Sequence, residues 1–176
     1  MTVLADRLGE VTAAPVSESY GVLTADVPRA RWADAVAAAR DDAELDGRLF
    51  DVLLVVDQLP GGFDVVVRLW SVGLRHGFHL RTTCPRDDAR VPSLTGVFAG
   101  AAWHERAAAE LFGVAFDGHS DPAPLLLPTG GVPHPLRKEH ALEARSAPWP
   151  GAVDPAYSGE GGRPPRRPLR PPGATP

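Results

Sequence analysis

The sequence predicts an α+β domain, an antiparallel-rich β-sheet with helices packed on it, followed by an extended proline-rich C-terminal strap and a disordered tail. Three observations predict this. A helical stretch at Pro28–Asp42 precedes three apolar runs separated by glycine-containing turns, the order of a helix-covered meander. A second helical stretch stops at Gly113, and prolines at positions 122, 124, 128, 133 and 135 then forbid helix. From Ser146 onward the chain holds nine of its 19 prolines and four arginines, with few apolar side chains besides Trp149. Such a segment cannot bury enough surface to offset its ordering entropy, so Tyr157–Pro176 is expected to be disordered. The resulting division is an α/β domain at 1–117, an extended partner-wrapping segment at 118–145 and a proline-rich tail at 146–176.

In order, Leu4, Leu8 and Val11 are spaced for one face of a short helix over Thr2–Glu10. Tyr20-Gly21-Val22-Leu23 reads as an edge strand. In the Pro28–Asp42 helix, Pro28 lies in the first turn and Asp26 is placed to cap it. Its apolar stripe is Trp32, Val36 and Ala39. Leu49–Val56 is nearly continuous in apolar residues, the pattern of a strand buried on both faces. Gln58-Leu59-Pro60-Gly61-Gly62 is a turn, and Phe63–Ser71 is a Val-rich strand. Arg75-His76-Gly77 turns the chain again. Phe78, Leu80 and Thr82 then alternate with His79, Arg81 and Thr83, as in a half-exposed strand. Pro85–Pro92 is a polar loop, and Ser93 opens a short helical turn. The next helix is alanine-rich, carries Trp103, Ala107, Leu111 and Phe112 near one face, and ends at a glycine suited to a left-handed C-cap.

Composition excludes several functions. The chain has 176 residues, one domain's worth, and its 44% apolar fraction supports a core. A net charge of −4 gives no electrostatic footprint for nucleic acid. No apolar run is long enough for a membrane span, and no signal peptide opens the chain, so a cytosolic setting is expected. The single Cys84 excludes an internal disulfide and an iron–sulfur cluster held by this chain alone. Gly-rich phosphate loops are absent. His104-Glu105 opens like a zinc-protease motif, but Ala108 stands where the second histidine belongs. His76, His79, His119, His134 and His140 have no clear ligand spacing.

The strap itself points to a partner. Leu125-Leu126-Leu127, Val132 and Leu136 are too apolar for a solvated loop, and the prolines exclude a helix or central strand. The segment makes sense if it lies on another protein, its restricted dihedrals lowering the ordering entropy of docking. Arg106 and Glu110, four residues apart, match a surface pair on one helix turn. Arg137, beside a rigid Pro-Leu, suits a partner carboxylate or chain-end carbonyls.

Glu105, Arg106, Leu111, Phe112, Gly113, Phe116, Gly118 and His119, followed by His134, Pro135, Leu136, Arg137 and Lys138, resemble the signature of the 30 kDa (C-type) subunit family of respiratory complex I. The family pattern is Glu-Arg-Glu, two residues, Asp-Leu-Phe-Gly, then Phe-x-Gly-His-Pro and later Gly-His-Pro-Leu-Arg-Lys-Asp. This chain departs from it at Ala107, Glu110, Ser120, Ala123, Pro124, Glu139 and His140-Ala141. The resemblance reaches back to about Gly21. It implies a non-catalytic structural component in the peripheral arm of a proton-translocating NADH–quinone oxidoreductase, a translocase. Such a component sits peripherally on the cytoplasmic face of the cell membrane and holds the quinone-site (D) subunit. The B subunit and the ferredoxin-like I subunit are further implied partners. No cofactor or metal is expected on this chain; NADH or another donor, FMN, iron–sulfur clusters and quinone belong to other subunits. Glu105, Arg106, Glu110, His119, His134, Pro135, Leu136, Arg137 and Lys138 are the implied interface residues, the acids and Arg106 bridging to the strap or to the partner. The runner-up is the equivalent component of a membrane-bound hydrogenase or a deazaflavin-linked dehydrogenase. The competing class is a small metal-dependent hydrolase using His104, Glu105 and His119.

Overall fold

The computed structural model describes residues 2–128, 130–131 and 133–140. Val132 and the tail, with its expected disorder, lie outside the described residues. Helix α1 (Thr2–Thr12) leads into a hairpin of β1 (Val16–Ser19) and β2 (Val22–Asp26). A 3-10 turn at Arg29–Arg31 opens α2 (Trp32–Asp41). The meander follows as β3 (Leu49–Gln58), β4 (Gly62–Ser71) and β5 (His76–Pro85), then β6 (Arg90–Pro92), α3 (Ala101–Phe112) and β7 (Ala115–Asp117). The main sheet has the order β1-β2-β5-β4-β3. Every pairing in it is antiparallel except β2 with β5. The class is α+β, with a mostly antiparallel sheet.

Strand alternation places the core. Phe63, Val65, Val67 and Leu69 of β4 share a face with Leu53 and Val55 of β3 and with Phe78, Leu80 and Cys84 of β5. Trp32, Val36 and Ala39 of α2 and Leu8 of α1 are buried in the same core cluster. Each large apolar side chain removed from water in this way contributes about 1.5–3 kcal/mol.

Three expectations need correction. β3 is not buried on both faces: Leu54 and Val56 are exposed, because the helices cover only the opposite face. An apolar run does not reveal how many layers lie over it. Tyr20-Gly21 is not strand but the hairpin turn, both residues having positive φ, and Val22 begins a strand inside the sheet. Asp26 does not cap α2; its carboxylate accepts from Arg81 of the adjacent β5 at 2.6 Å. β6 and β7, a parallel pair of three residues each, had no sequence signal long enough to read.

Candidate functional site

The signature residues converge where α3 meets the strap. α3 forms because its alanine-rich sequence lacks proline, and it stops at Gly113. Gly113 has φ +74°, the left-handed cap, and its N–H donates to Ala109 O. A second constraint is steric. An ideal Cβ at Gly113 would sit 2.5 Å from Arg137 Nη2 and 2.7 Å from His134 Nε2. Glycine is needed here for the turn and for the approach of the strap.

The buried face of α3 is Ala101, Glu105 and Ala108, spaced four and three residues apart. The stripe predicted through Trp103 is therefore wrong: Trp103 is 70% exposed. Two small alanines let the helix approach β3 closely, and Glu105 finds polar partners inside. Its carboxylate accepts from Ser93 Oγ and from the Leu94 N–H, each at 2.6 Å. Glu105 is 0% exposed. Burial pushes its carboxyl above the usual range, outweighing the two hydrogen bonds and the proximity of His119. A solvated Glu105 is excluded.

His119 holds the start of the strap. Its Nε2 donates to Ala102 O at 3.1 Å and its Nδ1 accepts the Asp121 N–H at 3.0 Å, which fixes the orientation of the ring. Its Nε2 lies 4.0 Å from Glu105 Oε2. His104, the remaining member of the hydrolase reading, turns to β3 instead, where Nδ1 donates to Leu53 O at 3.3 Å. The three side chains thus have separate hydrogen-bond duties.

Further along, Arg106 donates to Ala123 O at 2.7 Å and Pro124 O at 2.9 Å. Glu110 accepts the N–H groups of Leu125 and Leu126 at 2.6 and 2.7 Å. Burial opposes ionisation of Glu110, but the strap N–H groups and nearby Arg106 hold its carboxyl below the usual range. These two side chains bind strap backbone rather than each other.

The far end of the strap closes the helix. His134 Nδ1 donates to Glu110 O at 3.0 Å, the Leu136 N–H to Leu111 O at 3.1 Å, and Arg137 Nε to Phe112 O at 2.6 Å. Three successive carbonyls of the last helical turn are thereby satisfied. Of the two sequence readings for Arg137, a partner carboxylate or chain-end carbonyls, the second is met within this chain, and Nη1 also reaches Glu139 Oε1 at 3.4 Å. The guanidinium also lies over the Phe63 ring, 5.2 Å from its centroid. The Lys138 N–H donates to Asp57 Oδ2 at 2.9 Å. Pro135 is half-buried.

The strap thus makes these hydrogen bonds to its own chain, the first of the two readings given for Arg106 and Glu110. Docking leaves an apolar outer surface: Trp103, Leu126 at 61% and Leu136 at 52% remain exposed. Asp57, Phe63, Arg86 and Ser93 were missed. Asp57 alone left a trace, since it continues the parity of Leu53 and Val55 on the core side of β3.

Residues 25–146 match the family model described as "Respiratory-chain NADH dehydrogenase, 30 Kd subunit". The chain is 35% identical over 144 residues to the NADH-quinone oxidoreductase C subunit of Roseiflexus castenholzii, covering 81% of this chain and 83% of that one. It is 32% identical over 131 residues to the NADH-quinone oxidoreductase C/D subunit of a Sulfurihydrogenibium species, covering 73% of this chain and 22% of the longer relative. Among solved structures, a trypsin-resistant fragment (1-134) of Nqo5 superposes with a TM-score of 0.58 at 26% identity. That likeness covers 67% of this chain and 98% of the fragment.

Proposed function

Because the chain belongs to the family of the respiratory-chain NADH dehydrogenase 30 Kd subunit, and so is a component of an NADH–quinone oxidoreductase, we propose that its part in the complex is structural. In this reading it is a non-catalytic member of the peripheral arm, at the cytoplasmic face of the membrane, and its main neighbour is the quinone-site (D) subunit. The B subunit and the ferredoxin-like I subunit are further neighbours. Donor oxidation, the FMN and iron–sulfur relay and quinone reduction take place on other chains, and this chain binds none of those groups.

One observation carries the reading. The polar signature side chains Glu105, Arg106, Glu110, His119, His134 and Arg137 make their hydrogen bonds to this chain's own backbone or to its Ser93 and Glu139 side chains. They converge on a helix and its strap rather than around a substrate-sized space. What they build is a firm surface with Trp103, Leu126 and Leu136 outward. Exposed large apolar groups held by a rigid frame are the usual material of an interface core. The relative named as a C/D subunit carries both letters on one protein, which supports the quinone-site subunit as the neighbour. Among the described residues no helix is long and apolar enough to cross a membrane, in keeping with a peripheral position.

The test is co-expression of the chain with a tagged quinone-site subunit from the same genome. Co-elution as one species is expected, with no visible-range absorbance or stoichiometric metal in the free chain. A free chain that carries a chromophore or metal, or that never co-elutes, contradicts the proposal.

A further inference from the structure

Asp57 and Arg86 lie outside the family signature, yet both grip the strap. Asp57 is the penultimate residue of β3, on its core side, and is only 3% exposed. Its carboxylate accepts the Lys138 N–H at 2.9 Å and pairs with Arg86. Another nitrogen of Arg86 pairs with Glu139 at 2.8 Å. The Arg86 guanidinium lies over the Phe63 ring at 4.6 Å, the same buried ring that Arg137 lies over at 5.2 Å. Two residues of the folded body thus hold Lys138 and Glu139, and share a buried aromatic wall with Arg137. A buried carboxylate left without these partners would be strongly unfavourable, so the contacts are mutually dependent.

We propose that Asp57 and Arg86 form a latch that positions His134–Glu139 on the body before any partner arrives. The latch makes the outer surface of the strap a preformed one, which lowers the ordering entropy that partner docking must offset. Asp57 and Arg86 are positioning residues: they act through Lys138 and Glu139. The inference concerns the free chain and holds whether or not the quinone-site subunit is the partner.

The test uses the full chain and trypsin, which cleaves after Arg137 and Lys138 only when the strap leaves the body. Cleavage there is compared with cleavage after Arg40 and Arg81, which lie in the folded body. Asp57→Ala and Arg86→Met should each speed cleavage at 137 and 138 by about tenfold or more, body sites being unchanged. Arg86→Lys should recover part of the protection. The double variant should be little faster than either single variant, because each one already opens the latch. Wild-type cleavage rates at 137 and 138 in both single variants overturn the proposal. Equal acceleration at every site also overturns it, because the pair would then hold the whole fold. Should the variants fail to fold, hydrogen exchange on the unaltered chain decides. The Lys138 amide should exchange at least about tenfold more slowly than an open chain. An unprotected Lys138 amide rejects the latch.

Discussion

Arg137 closes the C-terminus of α3 by donating from Nε to the carbonyl oxygen of Phe112, at 2.6 Å, while its guanidinium lies over Phe63. A residue 25 positions downstream of the helix end therefore does the work of a capping group. Helix and strap form one unit because the helix's last carbonyls need donors and the strap supplies three. Arg137→Ala should loosen the strap by about 1.5–3 kcal/mol, the range for a hydrogen bond from a charged group. Hydrogen exchange at the Leu136 amide, which donates to Leu111 O, should accelerate accordingly. Unchanged exchange there would show that His134 and the latch hold the strap without Arg137.

Gly113 is constrained twice, by its φ of +74° and by the closeness of Arg137 and His134. Gly113→Ala should cost at least about 1–2 kcal/mol from the left-handed backbone alone, with steric displacement of the strap in addition. Urea denaturation of the two proteins measures the sum. A loss below that range would mean that the backbone and strap relax together at little cost.

Glu105 gives a pH dependence whose sign follows from burial. Its folded pKa is raised above the ordinary 4.5. The associated stability is fully present below about pH 4.5 and is lost as pH rises through the higher folded value. Glu105→Gln keeps an acceptor for Leu94 and removes the titration. Stability measured from about pH 4.5 to 8 should therefore fall less steeply for the variant than for wild type, other groups cancelling in the difference. Parallel curves would show that Glu105 ionises in the folded chain as easily as in the unfolded one.

Glu110 has the opposite sign. Strap N–H groups hold its folded pKa below the ordinary 4.5 despite burial. Its support for the strap is present above about pH 4.5 and is lost as pH falls through the lower folded value. The Leu125 and Leu126 amides should exchange faster in Glu110→Ala than in wild type at pH near 7, and the two proteins should converge in acid. Equal exchange at neutral pH would contradict the role given to this carboxylate.

What the sequence made legible was local. The end of α3 was readable because Gly113 announces a left-handed cap, and the meander because Phe78–Thr83 alternates and Gly61-Gly62 marks the first turn. The second turn lies at 72–75, and His76-Gly77, read as part of it, already pair in β5. The α2 stripe of Trp32, Val36 and Ala39 was readable by period alone. The misses were long-range. Glu105 is buried because Ser93 and Leu94, twelve and eleven residues earlier, offer donors that no helical period reveals. Trp103 was placed on an apolar stripe with Ala107, Leu111 and Phe112, but the buried face of α3 runs through Ala101, Glu105 and Ala108. The parallel pairing of β2 with β5 joins Thr24 to His79 across 55 positions, and nothing local encodes it. The strap residues were legible as important through the signature. Bridging of Arg106 and Glu110 to the strap was one of the two readings, but the hold on its far end was not legible, because the receiving residues there, Asp57, Phe63 and Arg86, lie in β3, β4 and a loop with no motif.

In the proposed assembly the strap-bound helix presents a preformed surface to the quinone-site subunit, with Trp103 and Leu126 outward. The most direct measurement is the affinity of the chain for that subunit with and without Trp103→Ala and Leu126→Ala together. The expected result is a loss of about 2 kcal/mol or more, roughly thirtyfold in Kd. The thermal midpoint of the free chain should stay nearly unchanged, since both side chains face solvent there. Unchanged affinity in the double variant would contradict this placement and move the interface elsewhere on the molecule.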